Sequence, residues 1–268
     1  MAVIETKLRR IDLKSKTVSE REDVVASDAA VCLFVNGEYF RTLIATPEML
    51  EELVVGHLLT EGIITTPDDL VKLEVDAARA DVELRGEPDL RLLGMGKVNL
   101  ITTACGSVAP PLKADSIELP RNDSAMRVEA EDVLGMVRGL NEGSSVHRET
   151  GGTHSAALCG AGGEVYAFAE DVGRHNAVDK VVGAGALRGV ELGGCVLVSS
   201  GRQSGEMVLK AARSGIPVVA SVAGPLESGI RLAEAAGITL ICFVRGRHMN
   251  VYTNPERIIT PLDRTSAA

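Results

Sequence analysis

The sequence predicts an α/β protein, and two patterns carry that class. In the second half, residues 195–199, 205–214, 216–221, 227–236 and 238–244 read strand, helix, strand, helix, strand, a series of short apolar runs separated by helical segments. Near the start, the apolar run Val31-Cys32-Leu33-Phe34-Val35 and residues 38–45 flank Asn36-Gly37, the strongest short-range hairpin signal. The chain has 268 residues and 45% hydrophobic residues, enough to bury the core of one large domain or two modest ones.

The elements follow in order. After the hairpin, Thr46 and Pro47 suit an N-cap and a first helical position. A helix over 48–61 then carries the apolar residues Leu50, Leu53, Val54, Leu58 and Leu59 until Gly62 ends it. Residues 71–85 and 98–103 read as further strands. The polar segment 110–127 contains Pro110, Pro111 and Pro120 and marks the boundary between a smaller α+β unit, residues 1–120, and a larger α/β unit, residues 121–268. The larger unit opens with a helix over 130–140. A hairpin of 154–159 and 164–169, turning through Gly160-Ala161-Gly162-Gly163, comes next, then a helix over 176–187. The last three strands should be parallel, with right-handed crossovers. Loops after their carboxyl ends would then line a crevice. Those loops are residues 200–205, 222–225 and 245–250, and the first and last are rich in hydrogen-bond donors.

Composition narrows the function. A net charge of −9 with no Trp, three Tyr and four Phe gives neither the basic footprint nor the stacking surface of a nucleic-acid binder. No apolar run approaches the roughly 20 residues that span a bilayer. The five cysteines are odd in number and scattered, and the first residues lack the apolar run of a signal peptide, so a reducing cytoplasm is expected. Arg174, Lys180, Arg202, Lys210, Arg245 and Arg247 nevertheless gather in the second half, which suits a local basic pocket for a small phosphorylated ligand.

The motif EDVGRHNAVDK, residues 170–180, sets polar and glycine positions between a β-like and a helix-like run. Such a junction exposes free backbone amides at a helix N-terminus, where negative charge is favoured. Arg174, His175, Asn176 and Lys180 add side-chain donors, so a phosphate is the natural partner. The plainer reading is a capped helix with surface ion pairs. The stretch SSGRQSGEM, residues 199–207, is a strand, glycine loop and helix in order. It suits phosphate binding through amides, or a plain turn, and is neither a Walker motif nor Gly-x-Gly-x-x-Gly.

His154, at a strand entry after Gly151-Gly152, reads as structural. No Cys-x-x-Cys occurs, and His147-Arg148-Glu149 matches only half of a zinc deaminase pattern. No Gly-x-Ser-x-Gly elbow is present. Cys32, Cys159, Cys195 and Cys242 lie in apolar strands and read as small core residues. Cys105 instead enters a Gly/Ser/Pro loop, where an accessible thiolate could attack or carry sulfur; on the residues alone an ordinary loop cysteine is the simpler reading.

Taken together, TGGTHSA (150–156), EDVGRHNAVDK (170–180), SGRQSGEM (200–207), KAARSGIPV (210–218) and FVRGRHMNVYTNPERI (243–258) resemble the formate dehydrogenase accessory sulfurtransferase family, FdhD. The resemblance is densest from about residue 104 onward. It implies a protein that accepts sulfur from a cysteine desulfurase as a Cys105 persulfide. The sulfur would pass to the metal of a molybdenum or tungsten bis(molybdopterin guanine dinucleotide) cofactor required by formate dehydrogenase. It further implies a cytidine-deaminase-like α/β/α larger domain without zinc or other structural metal, a smaller attached domain, and a homodimer.

The ligand residues implied are Thr153, His154, Asp171, Arg174, His175, Asn176, Lys180, Ser200, Gly201, Arg202 and Ser204. From the last loop come Phe243, Val244, Arg245, Gly246, Arg247, His248 and Asn250, with residues 243–248 assigned to a guanine nucleotide. One departure matters. Members commonly carry Cys-x-x-Cys at this loop, whereas Cys105-Gly106-Ser107-Val108 keeps only the first thiol. Val108 cannot close a disulfide to release sulfur, so the persulfide would pass sulfur directly to the metal or need an external reductant. The alternatives are a chaperone that binds the cofactor without sulfur transfer and, more remotely, a zinc deaminase built on His147 and Glu149.

Overall fold

A computed structural model describes residues 1–86 and 121–265. The expected strand at 98–103, most of the expected boundary segment and Cys105 fall outside these residues. The chain starts with two long antiparallel strands, β1 (Val3–Asp12) and β2 (Thr17–Ala26), which form a largely exposed hairpin. Sequence pattern did not announce them, because runs such as Lys7-Leu8-Arg9-Arg10 do not alternate cleanly between apolar and polar. Next come β3 (Ala29–Val35) and β4 (Glu38–Ala45), the hairpin expected from Asn36-Gly37.

Helix α1 (Leu50–Glu61) begins later than expected, with Met49 at its N-cap in a left-handed conformation, φ 55°. Thr46 is not the cap; its polar groups are used elsewhere. Gly62, φ 74°, ends the helix as anticipated, its N–H reaching the carbonyls of Leu58 and Leu59. The single strand expected over 71–85 is instead a hairpin, β5 (Leu70–Val75) and β6 (Arg79–Leu84). Asp76 reverses the chain there by accepting the N–H groups of Ala78 and Arg79. The sheet order is β4-β3-β6-β5.

In the second half, β7 (Val128–Glu129) leads into α2 (Ala130–Gly143) and the short α3 (Ser145–Thr150). The strands β8 (His154–Gly160) and β9 (Val165–Asp171) precede α4 (Arg174–Leu187). Then β10 (Cys195–Ser199), α5 (Gly205–Arg213), β11 (Val218–Ser221), α6 (Glu227–Ala235) and β12 (Thr239–Arg245) follow the predicted alternation. Strand β13 (His248–Val251), strand β14 (Ile258–Ile259) and α7 (Pro261–Thr265) close the described chain.

The six-stranded sheet has the order β13-β12-β11-β10-β8-β9, with β10, β11 and β12 parallel as the sequence required. Alternate residues of β10 face opposite layers. Val196 and Val198 pack with Val133, Met136 and Val137 of α2, while Leu197 packs with Val178 and Val181 of α4 and Met207 and Val208 of α5.

The two halves share a core. Val31, Leu33, Val54 and Leu58 belong to the same buried cluster as Val178, Val181, Leu197 and Met207. Helices α1 and α4 cross at two glycines: a Cβ on Gly56 would stand 1.7 Å from the Asp179 carbonyl oxygen, and one on Gly183 2.0 Å from that of Glu52. Backbone meets backbone, which only glycine permits. The segment 121–127, the end of the expected boundary, is pinned to the second half. Buried Arg257 donates to the carbonyls of Asn122, Ser124 and Gly237, and the Asn122 N–H reaches Ala236.

Candidate functional site

Sheet register brings the motifs to one edge. The parallel strands β10, β11 and β12 end together. Because β8 runs antiparallel to β10, with Ser199 opposite Ala156, its first residue His154 lies at the same edge. Strand β9, with Asp171 opposite His154, ends there too and delivers the N-terminus of α4.

The loop after β10 is held rigidly. The Ser200 N–H donates to the Ser155 carbonyl, and the Ser155 N–H returns to Ser200 Oγ at 2.9 Å. The Gly201 carbonyl accepts from Ser221 Oγ and Gln203 Nε2, both at 2.8 Å, and the Gly201 N–H donates to Ser199 Oγ. Gly201 is required: a Cβ there would meet the Arg174 side chain at 2.9 Å. Arg174 therefore lies along this loop. His154 Nδ1 is 3.3 Å from Ser200 Oγ, and His175 Nε2 is 3.3 Å from Glu206 Oε2 in the first turn of α5. Burial, followed by the charges of Arg174, His147 and His175, pushes His154 below the usual histidine value, with Asp171 opposing. Ser204 precedes α5, and its buried Oγ has no hydrogen-bond partner among the described residues. Arg202 is exposed.

The loops after β11 and β12 continue the edge. The Gln203 N–H donates to the Gly224 carbonyl, and the Phe243 N–H to that of Ala223. Phe243 has φ 54°, in the left-handed region, where the β12–β13 register slips between Cys242 and Arg245. That bulge lays its ring on Gly224, where a Cβ would stand 2.6 Å away. The Arg245 guanidinium lies 5.4 Å from the ring centroid. Gly246, φ 60°, turns the hairpin, Val244 is buried, and Arg247, His248 and Asn250 are exposed at its tip and along β13.

Other residues of the expected set face inward. Asp171 is completely buried; its carboxylate accepts from the Thr46 N–H (3.0 Å), the Gly173 N–H (2.8 Å) and Asn176 Nδ2 (2.9 Å), and lies 2.6 Å from Lys180 Nζ. Lys180, also fully buried, donates to the Thr46 carbonyl, and Asn176 to that of Ile44. Asp171, Asn176 and Lys180, read from sequence as ligand groups, thus spend these bonds inside the protein. Thr153 is buried and donates to Glu170, which also accepts the N–H groups of Val146 and His147 at the start of α3.

A second polar cluster escaped the sequence reading. Between α1, α4 and α5, Lys210 Nζ contacts both Asp179 carboxylate oxygens at 2.9 and 3.0 Å, with Thr60 Oγ1 at 3.0 Å. His57 Nδ1 lies 2.9 Å from Asp179. Burial pushes His57 below its usual value despite that bond. Burial pushes Glu61 and Asp179 up, but Lys210 and His57 outweigh it, holding Asp179 well below the carboxylate range and Glu61, with Arg41's help, at about 2. The signal was present in the spacing of His57, Thr60 and Glu61 on one helix, but no local pattern says that a partner helix covers them.

Burial pushes Cys159 and Cys195 up to about 11 and Cys242 to about 12, so these thiols are inert core residues. Cys32 is half-buried, with Sγ 3.5 Å from Thr42 Oγ1. Among the described residues, no three His, Cys, Asp or Glu side chains are placed to hold a metal ion, and no helix is long and apolar enough to cross a membrane.

Residues 26–259 match the model of the FdhD/NarQ family. The chain belongs to that family. A relative from Methanothermobacter thermautotrophicus, named sulfur carrier protein FdhD, is 36% identical over 254 residues, covering 93% of this chain and 96% of its own. A Bacillus subtilis protein of the same name is 34% identical over 244 residues, covering 90% and 92%. The crystal structure of a Desulfotalea psychrophila protein, described as a candidate formate dehydrogenase accessory protein, superposes with a TM-score of 0.78 at 25% identity. It covers 97% of this chain and 100% of that one. The FdhD/NarQ match extends upstream through the first-half sheet, well beyond the dense motifs of the second half.

Proposed function

We propose that this protein is a cytoplasmic sulfur carrier: Cys105 takes sulfur from a cysteine desulfurase as a persulfide and delivers it to a molybdenum or tungsten bis(molybdopterin guanine dinucleotide), the substrate, for use by formate dehydrogenase. The observation that carries this reading is the convergence of two donor-bearing loops, 200–205 and 245–250, and the α4 N-terminus on one sheet edge, in a chain whose relatives are named sulfur carriers. A ligand with two pyrophosphates and two guanines needs several arginine-bearing, amide-lined segments around one crevice. Arg174, Arg202 and Arg245 supply the cations, the start of α5 offers amides and the unpartnered Ser204 hydroxyl, and Phe243 offers a ring face.

Loading is a thiol exchange: the Cys105 thiolate attacks the outer sulfur of the donor persulfide, a new S–S bond forms, and the donor thiolate leaves. The inert core thiols Cys159, Cys195 and Cys242 do not compete. With Val108 in place of a second cysteine, the motif cannot close a disulfide to expel the sulfur, so the S–S bond breaks with the Cys105 thiolate leaving, and the two electrons that reduce the outer sulfur come either from the reduced metal centre of the substrate or from an external thiol that ends as a disulfide. The deaminase-like arrangement of the larger unit belongs to the same reading, supported by a mixed sheet with helices packed on both faces, and the family resemblance adds a homodimer.

The test is incubation with a cysteine desulfurase and cysteine, followed by intact mass and peptide mapping. One added sulfur on Cys105, absent in Cys105→Ala, is expected. The absent second cysteine favours one rival, a cofactor chaperone; it would bind guanine nucleotide yet acquire no sulfur. The deaminase reading has no comparable support, since His147 Nδ1 is engaged by the Thr153 carbonyl and Glu149 is exposed.

A further inference from the structure

The loop between β9 and α4 is shaped by residues it does not contain. Thr46, at the end of β4, is 1% exposed, and each of its polar atoms meets this loop or its buried lysine. Its N–H donates to Asp171, its Oγ1 accepts the Val172 N–H at 3.2 Å, and its carbonyl accepts Lys180 Nζ at 2.9 Å. Two residues earlier, the Ile44 carbonyl accepts Asn176 Nδ2 at 2.7 Å. These bonds fasten both ends of the segment from which Arg174 and His175 project. A buried carboxylate with this many donors tolerates no alternative geometry without leaving charge unpaired.

We propose that Thr46 is a positioning residue: the end of β4 fixes the 172–175 loop, so ligand recognition at the second-half sheet edge depends on a contact made by the first half. This rests on the reading of that edge as the guanine nucleotide site. Lys180 and Asp171 complete the clamp without touching ligand. The coupling is reciprocal. A nucleotide that orders the loop also steadies the β4 end, so the first-half sheet senses occupancy of the second-half edge.

The test compares full-length wild type, Thr46→Val, Thr46→Ser and Arg245→Ala, with GDP as the probe. Valine keeps the shape and backbone bonds of Thr46 but removes the acceptor for Val172; serine restores it. Thr46→Val should speed amide exchange over residues 170–176 and weaken GDP binding about tenfold, the loss of one hydrogen bond at a shaped site, while Thr46→Ser stays near wild type. In the wild type, GDP should slow exchange at residues 44–49, a readout independent of any variant's folding. Unchanged GDP affinity in Thr46→Val, with weakened binding in Arg245→Ala, overturns the clamp and leaves the site standing. If neither variant changes GDP affinity, the site reading falls and the clamp falls with it.

Discussion

Two polar regions built from the same residue types have opposite character. At the junction of α1, α4 and α5, Asp179, Lys210, His57 and Thr60 are buried and bonded to one another, with half-buried Glu61 at their rim, 3.4 Å from Lys210 Nζ. At the carboxyl edge of the sheet, Arg202 and Arg245 stay exposed and Ser204 Oγ has no partner among the described residues. The first region is closed, and the second is open to solvent, as the proposed ligand site requires. The motif EDVGRHNAVDK feeds both: Arg174 and His175 go to the edge, Asp179 to the junction, and Asp171 and Lys180 to the clamp between them. Charge in a sequence therefore identifies a polar site only once the helix face it occupies is known.

The comparison breaks most visibly in the closed region. Lys210→Met leaves Asp179 buried without its ammonium, and chemical denaturation should show a loss of ~3–5 kcal/mol, the usual cost of orphaning one member of a buried pair. A much smaller loss would mean that water or rearrangement compensates and the junction is not closed. In the open region the order reverses. Arg245→Ala should leave stability within about 0.5 kcal/mol of wild type and weaken GDP binding by about tenfold or more, as calorimetry would read.

Acid sharpens the contrast next. His57 has a folded pKa below its ordinary 6.5, so the native state binds fewer protons than the unfolded chain below that value. Its contribution is retained above about pH 6.5 and lost as pH falls below it, by at most about 1.4 kcal/mol per pH unit. Glu61, held at about 2 against an ordinary 4.5, adds stability present above 4.5 and lost toward 2. His57→Asn keeps a donor toward Asp179 but cannot titrate, and its stability should decline less steeply than wild type from pH 6.5 down to about 5, the remaining slope coming from His154, which is also held below its ordinary value. The smallest effect expected is that of Ser204→Ala: with no hydrogen bond to lose among the described residues, the melting temperature should stay put.

Much of this was legible in the sequence because local pattern decided it. Asn36-Gly37 fixed the hairpin, and the alternating runs after residue 195 predicted the parallel strands and their loops within a residue or two. The residues that misled were those whose partners lie far away in the chain. Thr46 looked like a helix cap but bonds Asp171 and Val172, more than a hundred residues on. Lys180 looked like a ligand donor but sits under β4. The exposed β1–β2 hairpin gave no apolar alternation to read, and Gly56 and Gly183 announced no helix crossing because close approach leaves no trace in periodicity.

Sulfur movement from a single thiol is the claim on which the account turns. The direct measurement is to load Cys105 with radiosulfur from a desulfurase, remove the donor, and add formate dehydrogenase carrying sulfur-free cofactor, with and without an external thiol. The account predicts that label leaves Cys105, appears on the dehydrogenase cofactor, and restores formate oxidation in proportion. Label that stays on Cys105 even with an external thiol would contradict sulfur delivery, and no label taken up by a protein that still binds GDP would leave a cofactor chaperone in its place.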